Sequence, residues 1–248
     1  MATAERAVIL SAGQGSRLLP LTEDLPKCLL DLEGRSMLEW QLRALAEVGV
    51  PEAVIVTGFR SDKVEAAVGK IAPRGLSVRT LFNPFYKVAD NLGSCWMARH
   101  EMHGDFMIIN GDTLFVTEIG RKLLASPRAP ITITIDRKPA YDEDDMKIVD
   151  EEGTLKAVGK RLPLETVNGE SIGMLLFRGE GARLFTDTVE AMMRTPEGAR
   201  VWYLQAIDRL AHQGKVRTCS IQGLQWGELD FPQDLERARR MVTEWADR

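Results

Sequence analysis

Short runs of β-branched and apolar residues alternate along the first half of this chain with segments whose apolar positions recur every three or four residues, which predicts strands followed by helices. Residues 7–12 (AVILSA) form an uninterrupted apolar run that ends at glycine, as expected for a strand buried on both faces of a parallel sheet. Met37, Leu38, Gln41, Leu42, Leu45 and Val48 carry helical spacing, and Gly49 stands where a C-cap is expected. The strand pattern returns at 53–57 (AVIVT), Ser61 is placed to cap a helix carrying Val64, Val68 and Ile71, and 76–82 reads as a third strand. A helix-like stretch over 91–102 then leads to 105–110 (DFMIIN), a buried strand that runs directly into Gly111 and Asp112. Such alternation predicts parallel strands joined by right-handed crossovers.

The pattern changes in the second half. Residues 131–136 alternate β-branched and polar positions, 146–149 and 155–158 flank a turn at 150–153 as a hairpin, and 171–177 reads as a strand. Helices are expected near 180–193, 203–213 and 232–246, with strands at 216–220 and ending at Asp230. The expected fold is therefore α/β: a doubly wound, mostly parallel, Rossmann-like central sheet with helices on both faces and a smaller mixed β region in the second half. Repeats, low-complexity tracts and linkers are absent from the pattern, so one domain over 1–248 is expected, in two halves, 1–125 and 126–248.

Composition narrows the function classes. Hydrophobic residues at 44% and charged residues at 27% match an ordinary globular chain, and 32 basic against 36 acidic residues leave a net charge of −4 with no basic face for a nucleic-acid backbone. Nucleic acid is not an expected partner. The three cysteines, Cys28, Cys95 and Cys219, are widely spaced and odd in number, which fits neither a disulfide framework nor paired zinc ligands and points to the cytoplasm. No stretch approaches a membrane span and no leader pattern opens the chain, so membrane insertion is not expected. Nothing in the sequence fixes the oligomeric state; a homo-oligomer is left open.

The strongest chemical signal follows the first strand. Gly13 and Gly15 let backbone N–H groups approach an anion, and Arg17 and Lys27 supply permanent positive charge at the same loop. This predicts a phosphate-cradling loop, although neither the P-loop pattern nor the dinucleotide fingerprint is present. Arg17 and Lys27 are expected to act on phosphates rather than on the fold. Asp112 stands at a strand's carboxyl end, where open α/β sheets place their ligands. His100, His103 and His212 sit among helical residues and are read as surface groups.

The pattern Gly13-x-Gly15-Ser16-Arg17 followed by Pro26-Lys27 resembles the signature of the sugar-phosphate nucleotidylyltransferase superfamily. The resemblance implies that the loop wraps the triphosphate of an NTP, that Arg17 and Lys27 are catalytic, and that backbone near Leu10 and Ala12 meets the base. Gly111-Asp112 and the later Trp226-Gly-Glu228-Leu-Asp230 resemble the segments that carry the family's Mg²⁺ ligands, here Asp112 and Asp230. Two carboxylates with phosphate oxygens and water suit hard, octahedral Mg²⁺. The expected activity is transfer of a nucleoside monophosphate onto a phosphorylated small molecule.

Asp145 to Ile148, Val158 to Lys160 and Gly169 to Gly173 resemble the phosphocholine and inositol-1-phosphate cytidylyltransferase branch, which implies CTP as donor. The same resemblance places Asn91 and Ser94 near base and ribose, and Lys147 and Lys160 near the acceptor phosphate. Tyr203 and Trp226 with Glu170 and Glu228 are the aromatic and acidic set expected around a quaternary ammonium, so phosphocholine is the first expectation. Asn110, before Gly111, departs from the acid that some phosphocholine enzymes carry. Inositol-1-phosphate, aminoethylphosphonate, phosphoglycerate or a sugar-1-phosphate is the alternative acceptor, and a non-catalytic nucleotide-binding regulatory module is the alternative of another class.

Overall fold

The computed structural model describes residues 4–246. In chain order, β1 (Arg6–Ser11) is followed by the ribbon β2 (Asp31–Leu32) and β3 (Arg35–Ser36), then α1 (Met37–Glu47), β4 (Glu52–Thr57), α2 (Ser61–Ile71), β5 (Ser77–Phe82) and α3 (Asn91–Met97). Next come β6 (Phe106–Asn110), β7 (Thr113–Phe115), α4 (Thr117–Leu124), β8 (Ile131–Asp136), β9 (Lys147–Glu151), β10 (Thr154–Gly159) and β11 (Gly169–Phe177). The chain continues through α5 (Gly181–Met193), α6 (Leu204–Ala211), β12 (Val216–Ser220), β13 (Trp226–Glu228) and α7 (Pro232–Ala246).

Nine strands form one sheet in the order β5-β4-β1-β6-β11-β8-β12-β10-β9. The first four are parallel, as their alternation with helices requires. Beyond β6 the expectation of a mostly parallel sheet fails. β11 runs antiparallel to both β6 and β8, β10 is antiparallel to β12 and β9, and only β12 beside β8 restores a parallel pair. Only the β9–β10 hairpin, turning at Glu152 and Gly153, owes its antiparallel pairing to a short connection; β11 follows β10 after nine residues and enters between β6 and β8 in the opposite direction. The first residues of β11 also pair with β9, so β11, β8, β12, β10 and β9 close into a ring.

Alternation along β1 explains how the core is shared. Val8 faces one apolar layer with Ile108, Leu175 and the buried sides of α3, α5 and α6, while Ala7 and Ile9 face a second layer under α1, α2 and α4. Helix α4 was not expected from the sequence, being only eight residues long, yet Ile119 and Leu123 anchor it. The stretch 91–102 divides into α3 and a separate 3₁₀ turn at Arg99–Glu101. Ser61 is the first residue of α2 rather than its cap; Arg60, in the left-handed region at φ 49°, precedes it. Ser36 accepts from the Glu39 N–H at 3.2 Å and caps α1 in the expected manner of a capping serine.

A third apolar cluster carries the site. Leu18, Leu30 and Leu32 from the loop after β1 meet Met37, Leu114, Leu229, Leu235 and Val242, so α7 is packed onto the base of the glycine loop. Among the described residues, no helix is long and apolar enough to cross a membrane.

The buried Gln41 carboxamide of α1 donates to the carbonyls of Asn110 at 2.9 Å and Thr113 at 2.8 Å, pinning both sides of the turn that holds Asp112. Gln41→Leu leaves both carbonyls without this donor, and the expected loss of stability is about 2 kcal/mol, the scale of stranding buried polar groups. Urea unfolding checks it: an unchanged midpoint would show that the turn holds itself.

Candidate active site

The loop after β1 is shaped by its own hydrogen bonds. Gly15 sits at φ +75°, and a Cβ there would lie 3.0 Å from the Lys27 Cβ, so both backbone and packing require glycine. The Thr22 hydroxyl donates to the Gly15 carbonyl at 2.8 Å and the Gln14 carboxamide donates to the Thr22 carbonyl at 3.1 Å. Leu10, Ala12, Gly13, Gly15 and Ser16 lie along this braced turn, with Gly13 and Ser16 exposed at its rim.

Asp112 is brought to the same level by Gly111. The Gly111 N–H donates to the Leu10 carbonyl at 3.0 Å, and a Cβ at 111 would stand 2.6 Å from that oxygen, so only glycine lets the two strand ends touch. Antiparallel pairing of β13 with β7, continued by the Leu229 N–H donating to the Asp112 carbonyl at 3.1 Å, sets Asp230 beside Asp112. Asp234 accepts from the N–H groups of Asp230 and Phe231 at 3.0 and 2.7 Å and fixes the entry to α7.

Between the two aspartates lies Lys27. Its Nζ is 2.8 Å from Asp112 Oδ2 and 2.8 Å from Asp230 Oδ1, and its side chain is only 15% exposed. This corrects the expectation that Lys27 acts on phosphates alone: it is an internal bridge of the fold as well. Arg17 pairs with Asp230 at 2.9 Å, stands over the Phe231 ring at 4.8 Å, and keeps 45% of its side chain exposed. Burial by itself would lower the Lys27 pKa, but the charges and hydrogen bonds of Asp112 and Asp230 outweigh it and push the ammonium above its ordinary range. Burial opposes ionisation of Asp230, yet Lys27, Arg17 and Lys160 hold its carboxyl below the usual value. Glu228 moves the other way, up to about 8, through desolvation and repulsion from Asp112 and Asp230. Since the Glu228 side chain reaches solvent, repulsion by the two aspartates is the cause that carries the direction.

The two carboxylates fit a hard divalent cation. Asp112 Oδ1 is buried without a hydrogen-bond partner, while an ammonium already shows that a positive charge is held at 2.8 Å from both residues. Among the described residues, no group of three or more His, Cys, Asp and Glu side chains is arranged to hold a metal ion.

Beyond Arg17 opens a cleft of about 1000 Å³ whose wall includes Tyr141, Asp144, Lys160, Arg161, Arg200 and Trp202. Asp144 joins it to the glycine loop, lying 3.4 Å from both Arg17 and Lys160. Lys160 stands 4.9 Å above the Trp202 ring. Lys147 is buried, its ammonium committed to the backbone carbonyls of Asp142, Asp145 and Lys160, so it pins the loop over 138–146 and does not offer a free charge to an acceptor.

Tyr203 is also not where the sequence reading put it. It is fully buried between the Phe185 ring and the strands, donates its hydroxyl to Asn110 Oδ1 at 3.1 Å, and presents no face to the cleft. Residues 203, 207 and 210 share a helical face, and Ile207 and Leu210 are core residues, a spacing that signals burial for 203 and exposure for its neighbour Trp202. Asn91 accepts the Tyr203 N–H at 2.8 Å, and buried Ser94 accepts from Asn83 at 3.1 Å, so both side-chain oxygens are engaged within the fold. Glu170 is buried and ion-paired with Lys138 at 2.9 Å. Trp226 directs its indole N–H to Asp136 at 2.7 Å and stays half-buried. His100, His103 and His212 are exposed surface groups. Sequence reasoning weighed Trp202 beside Tyr203 and missed Lys138 and Asp144, which lie on a loop that carries no hydrophobic pattern.

Known proteins resemble this chain over most of its length. Residues 7–157 match the family described as MobA-like NTP transferase domain. The bifunctional IPC transferase and DIPP synthase of Aquifex aeolicus is 26% identical over 98% of this chain and 53% of its own length. The CMP-5'-(3-aminopropyl)phosphonate synthase of Streptomyces rubellomurinus is 32% identical over 94% of this chain and 38% of its own length. This chain thus spans about half or less of the length of these two curated relatives. Among solved structures, the inositol-1-phosphate CTP transferase from T. maritima superposes with a TM-score of 0.81 over 97% of this chain and 96% of its own, at 19% identity, a likeness of fold.

Two expected outcomes follow from the packing. Lys27→Met removes one charge from a buried cluster and is expected to cost about 3 kcal/mol at neutral pH, because two aspartates are left facing each other. Asp230 has a depressed pKa, so its contribution is present at neutral pH and lost as the pH falls through its folded value. The gap between wild type and variant is therefore expected to close below about pH 4, and denaturant midpoints measured from pH 3 to 8 check this. Tyr203→Phe is expected to lower stability by about 1 kcal/mol with little change in the Michaelis constant for any acceptor; a large kinetic change at unaltered stability would return Tyr203 to the cleft.

Proposed function

We propose, from the premise that this chain belongs to the family of MobA-like NTP transferase domains, that it transfers CMP from CTP to a phosphorylated or phosphonate-bearing small molecule and releases pyrophosphate. The observation that carries the reading is the meeting of Lys27 with Asp112 and Asp230 at the foot of a glycine loop that also presents Arg17. An anion is cradled by the loop, and two acids stand where they can share a divalent cation with it.

In this reading the triphosphate lies along Gly13, Gly15 and Ser16, with Arg17 and Lys27 against its oxygens. Lys27 moves from the aspartates toward the phosphates as they arrive, since a polyphosphate offers the ammonium more negative charge than the acids it leaves. When bound at Asp112 and Asp230, Mg²⁺ supplies further neutralisation of the triphosphate. An oxygen of the acceptor's phosphate forms the new bond to the α-phosphorus as the bond to pyrophosphate breaks. That oxygen is already ionised at neutral pH, so no protein base or nucleophile is needed, and catalysis is alignment with charge stabilisation. Lys160, at the mouth of the cleft and close to Asp144, is placed to hold the acceptor's phosphate.

The organic part of the acceptor is less constrained by the four residues first expected to bind it. Tyr203 is buried, Glu170 is paired to Lys138 and Trp226 is bonded to Asp136, and neither these three nor Glu228 line the cleft, whose aromatic residues are Tyr141 and the exposed Trp202. Phosphocholine and inositol-1-phosphate both carry the phosphomonoester that the transfer requires and differ in the organic part.

Pyrophosphate release measured with each NTP against a panel of phosphorylated acceptors tests the proposal, CTP being the expected donor. Asp112→Ala and Asp230→Ala are each expected to reduce turnover about a hundredfold, the scale of losing one electrostatic stabiliser, with circular dichroism confirming the fold. Release of no pyrophosphate with any pair would favour a nucleotide-binding regulatory module instead.

A further inference from the structure

The loop over 138–146 places a positive charge where an acceptor's own cation would be held. Lys138 Nζ lies 2.7 Å from Asp145 Oδ1, 2.9 Å from Glu170 Oε2 and 5.8 Å from the centre of the Tyr141 ring. Two carboxylates and an aromatic face around one ammonium form the kind of enclosure by which proteins bind amines. Here the amine belongs to the chain itself. The two acids are withdrawn from solvent, at 7% and 11% exposure of their side chains, whereas Lys138 keeps 34%, so the box opens outward and is stoppered by the lysine.

Its position relates it to the cleft. Asp144, the residue before Asp145, reaches Arg17 on one side and Lys160 on the other, while Tyr141 forms part of the cleft wall. Glu170 pairs in register with Asp136, whose carboxylate receives the Trp226 indole N–H. Of the four box residues only Tyr141 lines the cleft, so an acceptor whose phosphate lies between Arg17 and Lys160 meets the box through the Tyr141 ring.

We infer that Lys138 sets the class of acceptor: its ammonium occupies the Tyr141, Asp145 and Glu170 box, so the organic part of the acceptor is uncharged and hydroxyl-bearing rather than a quaternary ammonium. The inference rests on the nucleotidyl-transfer reading. A quaternary ammonium brought to this box meets a like charge already neutralising both acids. A trimethylammonium has no N–H to donate to the acids and nothing to accept from Lys138, whereas the Lys138 N–H groups and the carboxylate oxygens beside it can share hydrogen bonds with the hydroxyls of a polyol. In the absence of Lys138 the box becomes two unpaired acids and a ring, a site for an amine.

Two measurements test this. With CTP, the wild-type chain is expected to show a specificity constant at least about tenfold higher for inositol-1-phosphate than for phosphocholine, the ratio set by roughly one well-placed charge contact; Lys138→Met is expected to lower the Michaelis constant for phosphocholine at least about tenfold, with that for CTP unchanged. Calorimetry with choline alone, which needs no turnover, is expected to detect binding to Lys138→Met at concentrations where the wild type shows none. A wild-type preference for phosphocholine overturns the inference, as does choline binding that is equal in, or absent from, both proteins. Should Lys138→Met fail to fold, the wild-type acceptor ratio still decides. Should no acceptor release pyrophosphate, the transfer reading fails while the choline titration continues to test the box.

Discussion

One ammonium between two carboxylates organises this molecule. Lys27 is separated by 85 residues from Asp112 and by 203 from Asp230, yet its Nζ is shared between them at 2.8 Å. Each partner arrives from a different part of the chain: Lys27 from the loop after the first strand, Asp112 from the end of β6, Asp230 from the end of β13. Bringing two acids together in a crowded cleft costs free energy through desolvation and repulsion, and a positive charge between them offsets it. The fold tolerates the pair because a cation is always at hand, a lysine in the free protein and phosphate-bound charge during the proposed reaction.

The surrounding structure serves to keep those three residues in register. Gly111 allows β6 to touch β1, Gln41 grips both sides of the turn, and the third apolar cluster clamps α7 beneath Asp230. These are rigid elements. The opposite side of the cleft is different in kind, since the loop over 138–146 is held by ion pairs and by Lys147 pinned to three carbonyls rather than by apolar packing. In the proposed reading the apolar-packed side would meet the nucleotide and the polar loop the acceptor, which suits a family whose relatives bear names with different products.

The legible part of the sequence was the part governed by periodicity. Residues 7–12, 53–57 and 105–110 read as buried strands and the structure holds them as β1, β4 and β6, while the glycine at 15 marked the tight turn after β1. The antiparallel turn at β11 was hidden because a fully buried strand, nine residues of it, looks the same in either direction. Tyr203 was misassigned because aromatic character was weighed without its helical phase, which it shares with Ile207 and Leu210. Lys138 and Asp144 were invisible: ion pairs between residues on a polar loop leave no trace in hydropathy, and the partners of Lys138 are set by where the loop folds back onto β11.

The central claim is that the α-phosphorus, and no other, is the centre attacked at Lys27, Asp112 and Asp230. Parallel incubations with CTP labelled at the α-phosphorus and at the γ-phosphorus, each with Mg²⁺ and inositol-1-phosphate, follow both atoms. The account predicts that the α label enters a product that joins CMP to the acceptor while the γ label leaves wholly as pyrophosphate. Transfer of the γ label to the acceptor, or retention of both labels in unreacted CTP across every phosphorylated acceptor offered, would contradict it.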